Sequence, residues 1–120
     1  MKLGYHSITW GGVLGHPVGV TSIKDLLYCG VGSMEDAARD IAEAGYDGTE
    51  MFDGDVDMYS DRPDDLRALL ADNSLELVSV YTGANFVYAD ILPDEMHKIN
   101  RAIDLAAQFG AERLVVGGGA

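Results

Sequence analysis

Four short apolar runs alternate along the chain with three stretches in which apolar residues recur every three or four positions. The runs are nearly continuous rather than strictly alternating, which is typical of strands in a parallel sheet covered by helices. The spacing of three to four residues predicts amphipathic helices between the runs. The sequence therefore predicts the order strand, helix, strand, helix, strand, helix, strand. The predicted strands are residues 3–9, 46–52, 75–81 and 113–117.

Residues at the predicted helix ends support this order. The hydroxyl of Ser33 can accept a hydrogen bond from a free amide in the first turn of a helix, and Pro63 and Pro93 suit the starts of the second and third helices. Gly45 and Gly110 follow the first and third helices, where a residue in the left-handed conformation commonly ends a helix. The long glycine-rich segment after the first strand predicts a loop with a short helix at residues 22–28.

The spacing of the strands predicts a (β/α)8 TIM barrel, an α/β fold of which this chain holds about the first half. One strand and its helix take roughly 36 residues, so eight units need about 290 residues, within the size range of these barrels. We expect residues 1–120 to form a single domain, with four parallel strands in the order 1-2-3-4 and helices on the outer face only. The alternative is a flavodoxin-like or Rossmann-type binding module, in which the strand order has a switch point.

The net charge of the chain excludes some classes of binding partner. Twenty acidic residues against eight lysines and arginines give a net charge of −12, and a surface of this charge repels phosphate backbones and anionic membranes. We therefore expect neither nucleic acid nor membrane as a partner, and no apolar run approaches the length of a membrane span. Such an acidic surface is best tolerated in high salt, which favours a halophilic source. The single cysteine, Cys29, fits a reducing cytoplasm.

Two further motifs have ordinary explanations. Residues 30–35 (Gly-Val-Gly-Ser-Met-Glu) resemble a dinucleotide-binding fingerprint, but Glu35 replaces its last glycine and would place a carboxylate near a pyrophosphate. We interpret this stretch as a loop that leads into a capped helix. Residues 53–64 have the length of a calcium loop, but Met58 stands where such a loop needs glycine. We interpret them as a solvated acidic loop.

The candidate substrate-binding residues are polar or aromatic side chains on or after the predicted strands. Glu50 interrupts an apolar strand near its carboxyl end, which in such barrels faces the ligand. The alternative for Glu50 is a structural carboxylate bound to a polar group of a neighbouring strand. His6 and Trp10 are expected on one face of the first strand, where Trp10 could pack against a sugar ring; structural roles are the alternative for both. Tyr81 and Asn85 end the third strand in a polar cluster, and Asn85 is expected to reach the pocket mouth. The sequence assigns no catalytic residue.

Three stretches of the sequence carry a family resemblance. They are residues 1–10 (Met-Lys-Leu-Gly-Tyr-His-Ser-Ile-Thr-Trp), 41–52 (Ile-Ala-Glu-Ala-Gly-Tyr-Asp-Gly-Thr-Glu-Met-Phe) and 106–116 (Ala-Ala-Gln-Phe-Gly-Ala-Glu-Arg-Leu-Val-Val). Together they resemble the xylose-isomerase-like TIM barrels, which include sugar phosphate isomerases and epimerases, inosose dehydratase and type IV apurinic endonucleases. The likeness covers nearly the whole chain and is specific to the superfamily, not to one reaction.

The resemblance implies an isomerase, epimerase or dehydratase of a small sugar, sugar phosphate or polyol, with a divalent Mn, Co, Mg or Zn ion in the complete barrel. In the isomerase branch the metal ligands lie on later strands, so this chain alone is expected to hold no metal and to be inactive. Only His6, Trp10, Glu50 and the ends of the third and fourth strands carry over, as pocket wall. The endonuclease branch has metal-binding histidines at those two strand ends, where this chain has Tyr-Thr-Gly and three glycines. DNA repair is therefore not expected.

A half-barrel would leave its outermost strands with unpaired edges and would expose its inner face, for which Ile8, Val80 and Val116 are candidates. We expect a second copy of the chain in a homo-oligomer, or the missing half-barrel, to cover these surfaces. A non-catalytic half-barrel that functions only as such an assembly is the alternative to an enzyme.

Overall fold

The structure is a computed structural model that describes residues 1–10, 13–14, 27–30 and 32–118. Within these residues the chain forms six strands and four α-helices, and two short 3-10 helices, Ser7–Thr9 and Ala89–Ile91, precede loops or helices. The strands are β1 Gly4–His6, β2 Val13–Leu14, β3 Cys29–Gly30, β4 Gly48–Phe52, β5 Glu76–Ala84 and β6 Arg113–Gly118. The helices are α1 Met34–Glu43, α2 Asp53–Asp57, α3 Pro63–Asp72 and α4 Leu92–Gln108.

The main sheet contains four parallel strands in the order β1-β4-β5-β6, which is also their order along the chain. The predicted sequential order is therefore confirmed, and the partial TIM barrel with it. A flavodoxin-like or Rossmann-type module is wrong for this sheet, because the sheet has no switch point in its strand order. The short strands β2 and β3 pair with each other in a separate antiparallel ribbon.

The helices α1, α3 and α4 pack on one face of this sheet, as the sequence predicts. Their apolar residues share one core with the strand residues Met51, Leu77 and Val80. The prediction that Val80 lies on the inner face is wrong, because its side chain is fully buried in this core. The helix residues of the core are Ala38, Ile41, Leu66, Leu70, Leu105 and Ala106.

The helix ends follow the predicted chemistry. The hydroxyl of Ser33 accepts a hydrogen bond from the backbone N–H of Asp36 at 3.1 Å, which caps α1. Gly45 and Gly110 have φ angles of 86° and 78°, in the region where a residue with a Cβ is strained. The two turns that lead from helix into strand therefore depend on glycine at these positions.

The first strand is shorter than the sequence predicts, and the third is longer. The ring nitrogen Nδ1 of His6 accepts the backbone N–H of Ile8 at 2.9 Å, which starts the 3-10 turn and ends β1 at His6. The third predicted strand continues three residues beyond Tyr81, to Ala84. Of the short helix predicted at residues 22–28, only Leu27 and Tyr28 lie among the described residues, and neither is helical. The rest of that prediction lies outside them.

Part of the apolar surface stays open on the sheet and at its edges. Ile8, Val115 and Val116 are 47%, 39% and 40% exposed, and β1 and β6 are the outermost strands of the sheet. Unpaired strand edges and exposed apolar patches favour association. We predict that the 120-residue polypeptide, expressed alone, sediments as a dimer or larger species at micromolar concentration. A well-folded monomer of 12.8 kDa would contradict this prediction.

No helix within the described residues is both long enough and apolar enough to span a membrane.

Candidate active site at the strand ends

Glu50 lies at the centre of a polar group on the inner face of the sheet. Its carboxylate oxygen Oε2 accepts a hydrogen bond from the hydroxyl of Ser79, and its Oε1 lies 3.7 Å from Nε2 of His6. The side chains of His6 and Glu50 are each 21% exposed, so both remain open to a ligand. These contacts place Glu50 on the face of the sheet opposite the helices, and its hydrogen bond with Ser79 of the neighbouring strand is the structural role given as the alternative. A contact between Glu50 and substrate stays a prediction.

A β-bulge places Ser79 opposite Glu50. Thr49 pairs with Leu77 and Glu50 pairs with Ser79, so Val78 is an extra residue on β5. A bulge changes the direction in which the following side chains point, and bulges are common beside active sites. Because of this extra residue, the Ser79 hydroxyl can donate to the Glu50 carboxylate.

The hydrogen bond that ends β1 also fixes the tautomer of His6. Since Nδ1 accepts the N–H of Ile8, the ring proton is on Nε2, the nitrogen that faces Glu50. Burial lowers the pKa of His6 below 6.5, and the negative charge of Glu50 opposes this effect only in part. At neutral pH the imidazole is therefore uncharged and presents a single N–H donor to the site.

Aromatic rings surround this polar group. The ring centroids of His6 and Phe52 are 4.5 Å apart, those of Phe52 and Tyr81 are 5.7 Å apart, and both pairs meet edge to face. Tyr28 stacks on Phe52 with centroids 5.9 Å apart and planes at 27°. Edge-to-face and offset-stacked rings are favourable arrangements. We call His6, Tyr28, Phe52 and Tyr81 the ring cluster.

Two glycines make room for the tyrosines of this cluster. A Cβ atom added to Gly83 would collide with the ring and hydroxyl of Tyr28, and one added to Gly117 would collide with the hydroxyl of Tyr81. Tyr28 therefore packs against the backbone of β5 at Gly83, and Tyr81 against that of β6 at Gly117. Gly117 lies in β6 and provides room for Tyr81; Gly119 lies outside the described residues.

Trp10 does not share a face with His6, so this part of the prediction is wrong. The 3-10 turn after β1 redirects the chain, and the indole N–H of Trp10 donates to Asp40 of α1 at 2.9 Å. Its ring meets Tyr5 edge to face at 6.0 Å, and Tyr5 lies on the face of β1 opposite to His6 because side chains alternate along a strand. Trp10 thus connects the first strand to the first helix, and a contact with substrate stays a prediction.

Asn85 and Tyr81, both predicted to contact substrate, have different surroundings. Tyr81 belongs to the ring cluster. Asn85 is only 1% exposed, so the expectation that it reaches a pocket mouth is wrong. Its backbone N–H donates to Glu95 at 2.8 Å and its side-chain oxygen accepts the N–H of Val87 at 3.0 Å, which shapes the loop between β5 and α4. Phe86, the next residue, is 52% exposed.

The sequence interpretation of residues 53–57 as a solvated acidic loop is wrong. These residues form α2, and Asp53 and Asp55 are buried at 0% and 2% exposure. Asp53 accepts hydrogen bonds from the N–H groups of Tyr28 and Gly54, both at 2.9 Å, and from the hydroxyl of Thr82 at 2.6 Å. Burial nevertheless raises the pKa of Asp53 above its ordinary value, because these hydrogen bonds compensate only in part.

Asp55 is less completely paired than Asp53. Its Oδ1 accepts the N–H of Gly30 at 2.8 Å, whereas Oδ2 is buried with no hydrogen-bond partner among the described residues. Burial raises its pKa from 3.8 to about 6, and the nearby charge of Asp53 adds to this increase. The folded protein therefore holds a carboxyl group that ionises near neutral pH.

Asp55→Asn is expected to stabilise the protein at high pH. Between pH 3.8 and 6 the folded state binds more protons at Asp55 than the unfolded state, so stability contributed by this group falls as the pH rises through that window. The two pKa values lie about two units apart and each unit corresponds to about 1.4 kcal/mol, so we expect a gain of about 3 kcal/mol at pH 8 and little change at pH 4. Denaturant unfolding at pH 8 and at pH 4 measures this change in the free energy of unfolding. The surface variant Asp64→Asn is the control, and an equal effect of Asp55→Asn at the two pH values would contradict the prediction.

A buried ion pair lies beside this group on α4. Nζ of Lys98 is 3.2 Å from Oε2 of Glu95, and both side chains are at most 5% exposed. The positive charge of Lys98 also acts on Asp53, whose pKa it lowers. Sequence reasoning missed this pair, because both residues occupy positions typical of a helix surface. A glutamate and a lysine at i and i+3 are its only local signal.

The described residues do not themselves form a metal centre. No three His, Cys, Asp or Glu side chains in the described ranges come together as a ligand set, and His6 and Glu50 alone are two fewer than the four ligands usual for zinc. A metal in the complete barrel would need ligands from elsewhere.

A groove of about 890 Å³ lies at the other end of the sheet. Lys2, Gly4, Leu75 and Glu76 contribute to its wall, and these residues precede or begin β1 and β5. Barrels of this class bind their ligands at the carboxyl ends of the strands. The ring cluster, rather than this groove, is therefore the candidate active site.

Fold and site together define the class of protein. A parallel sheet in sequential order carries its polar and aromatic group on the inner face, and the sequence profile of the "Xylose isomerase-like TIM barrel" family matches residues 38–120. The chain therefore belongs to the xylose isomerase-like TIM barrel family, and the resemblance noted in the sequence is confirmed.

Two of three proteins similar to this chain carry the name of a dehydratase. A 3-dehydroshikimate dehydratase of Pseudomonas aeruginosa is 30% identical over 87 residues, which cover 71% of this chain and 14% of the relative. The crystal structure of the probable 3-DHS dehydratase AsbF from Bacillus anthracis matches with a TM-score of 0.65 and 16% identity, over 97% of this chain and 38% of that one. A xylose isomerase-like TIM barrel/4-hydroxyphenylpyruvate dioxygenase fusion protein matches with a TM-score of 0.63 and 19% identity, over 97% and 16%.

The two structural matches, at this low identity, show the fold alone. The chain spans well under half the length of each of these three relatives.

Proposed function

We propose that the complete barrel to which this chain contributes is an enzyme that removes a proton next to a carbonyl group of a small polyhydroxylated compound. The observation that carries the proposal is the position of Glu50 on the inner face, beside Ser79 and His6 and within the ring cluster. The complete barrel is either an assembly of this chain or a longer protein that contains it.

The chemistry of this group suits a sugar, polyol or hydroxylated ring. A carboxylate accepts hydrogen bonds from hydroxyl groups, and charge-assisted bonds of this kind are stronger than neutral ones. The partly exposed ring of Tyr81 offers apolar surface against which the C–H face of a small ring can pack. Phe52 is only 3% exposed and supports the Tyr81 ring edge to face. The Nε2–H of His6 adds one donor for a substrate oxygen. Substrate binding is thus proposed for His6, Glu50 and Tyr81.

Elimination of water is the reaction that we favour among isomerisation, epimerisation and dehydration. All three begin with loss of a proton from the carbon next to a carbonyl, which gives an enolate. In a dehydration the enolate electrons then expel the hydroxyl group on the adjacent carbon, which leaves as water after it gains a proton. The relative that is 30% identical is a 3-dehydroshikimate dehydratase by name, and we propose a hydroxylated ring ketone of this type as the substrate class.

A divalent metal in the complete barrel is part of this proposal, as Mn, Co, Mg or Zn. Its ligands would come from outside the described residues, and the roles proposed for Glu50, His6 and Tyr81 do not depend on it.

The proposal is tested by assaying the complete barrel on 3-dehydroshikimate and on a panel of aldose and ketose pairs. Loss of water from 3-dehydroshikimate gives an aromatic dihydroxybenzoate, which absorbs in the ultraviolet, whereas sugar isomerisation is followed by chromatography. Turnover of 3-dehydroshikimate supports a dehydratase, and turnover of a sugar pair supports an isomerase. Inactivity on every compound, with the folded barrel present, would reject the enzyme and favour the non-catalytic assembly.

A further inference from the structure

A short segment, residues 27–30, lies against the sheet and places an aromatic ring over the candidate site. Tyr28 of this segment stacks on Phe52 and meets Tyr81 edge to face, with centroids 5.9 Å apart in both pairs. The ring lies over the backbone of Gly83, where any larger residue would displace it. Tyr28 therefore covers the carboxyl ends of β4 and β5 from the inner side. We call residues 27–30 the Tyr28 segment.

The Tyr28 segment is attached to α2 through its backbone. The N–H of Tyr28 donates to Asp53 at 2.9 Å, and the N–H of Gly30 donates to Asp55 at 2.8 Å. In the opposite direction, the carbonyl of Tyr28 accepts the N–H of Gly54 at 2.9 Å. These three hydrogen bonds thus hold the Tyr28 segment in one position against the carboxyl end of β4.

The two carboxylates that make this attachment are costly to bury. Transfer of a charged group out of water is unfavourable unless hydrogen bonds replace its hydration, and Oδ2 of Asp55 has no such partner in the part of the chain that the structure describes. A carboxylate can accept several N–H groups at once, which an apolar side chain in the same place could not do. The arrangement gives up stability and gains a fixed position for the Tyr28 ring.

We propose that Tyr28 is a further specificity residue that contacts the substrate, and that Asp53 and Asp55 are positioning residues that hold it there. The contact with substrate rests on the proposed function, whereas the attachment of the segment does not. Residues 27–30 lie roughly 25 positions before the two aspartates along the chain, and in the attached segment the ring of Tyr28 stacks on Phe52.

The substrate contact is tested by kinetics on the complete barrel, with whichever compound of the panel it converts. Tyr28→Leu removes the ring from a partly exposed site, and we expect KM to rise about tenfold while kcat changes less than about threefold, because a wall residue mainly affects binding. Asp53→Ala should raise KM to the same extent, because the Tyr28 ring is then no longer held in place. Asp53→Asn, whose amide oxygen can still accept both N–H groups, should restore KM to within about threefold of the wild-type value, as expected for a positioning role.

The attachment is tested without activity through Cys29, which belongs to the segment. Its sulfur packs against Gly54, where an added Cβ would collide with it, so release of the segment exposes the thiol. We expect Asp53→Ala to raise the rate of Cys29 modification by Ellman's reagent at least tenfold, with Asp53→Asn near the wild-type rate and the surface variant Asp64→Asn as the unchanged control. The part of the modification rate that disappears in Cys29→Ser is the part assigned to the Cys29 thiol.

These rates are compared at their high-pH plateau, because burial and the charges of Asp55 and Asp53 raise the pKa of Cys29 and their removal would change the thiolate fraction by itself. An unchanged plateau rate in Asp53→Ala would overturn the positioning role. An unchanged KM in Tyr28→Leu would overturn the substrate contact.

If Asp53→Ala does not fold, Gly83→Ala, which displaces the Tyr28 ring without touching Asp53, takes its place in the KM test. If the wild-type barrel converts no compound, the proposed function and the substrate contact fail together, while the thiol rates still decide the attachment.

Discussion

Replacement of Glu50 by glutamine is expected to lower kcat/KM of the complete barrel about 100-fold. Hydrogen bonds to a charged group contribute about 1.5–3 kcal/mol, and loss of about 3 kcal/mol corresponds to roughly a 100-fold change in rate. Glutamine has the same shape, and its amide nitrogen can donate to the hydroxyl of Ser79, which now accepts. The fold should therefore persist, with an unchanged melting temperature.

The control for this variant is Glu76→Gln. Glu76 begins β5 at the other end of the same strand that carries Ser79, and its side chain is 61% exposed in an ion pair with Lys2. We expect no more than a twofold change in kcat/KM from it. Equal effects of the two substitutions would show that net charge, rather than the place of Glu50 beside His6, governs activity.

Leu66→Ala is expected to cost about 3 kcal/mol of unfolding free energy. The side chain of Leu66 is fully buried between α3 and the sheet, and truncation of a buried leucine leaves a cavity that costs about 2–5 kcal/mol. Urea unfolding followed by circular dichroism measures the change as a lower midpoint with an unchanged slope.

Leu69→Ala on the same helix provides the comparison. Leu69 is only partly buried at the margin of the core, so the same truncation should cost about 1 kcal/mol, since little cavity remains where solvent can enter. If the two variants lost equal stability, Leu66 would not be the residue through which α3 docks on the sheet.

The order and type of the main elements could be predicted from the sequence because they depend on local patterns. Ile41 and Leu66 lie on apolar stripes of helical period, and both are buried in the core. Glu50 could be assigned to the inner face because strand side chains alternate and only one face receives helices. The family resemblance adds that these faces belong to a barrel.

The buried carboxylates could not be predicted, because their burial depends on partners distant in sequence. Asp53 and Asp55 stand in an acidic stretch that is typical of a solvated loop, and nothing local shows that Tyr28 and Gly30 return to donate to them. The extra residue Val78 could likewise not be predicted, since a bulge is defined only by the pairing of two strands. A partial signal existed at Asp53, which follows an apolar strand with no intervening turn residue.

The bond between Trp10 and Asp40 gives the protein a built-in optical probe. Trp10 is the single tryptophan of the sequence, and its indole N–H reaches from the end of the first strand to the first helix. Indole emission depends on the polarity of its surroundings and on hydrogen bonding. The intrinsic fluorescence of residues 1–120 at indole wavelengths therefore reports the surroundings of Trp10, where α1 meets the end of β1.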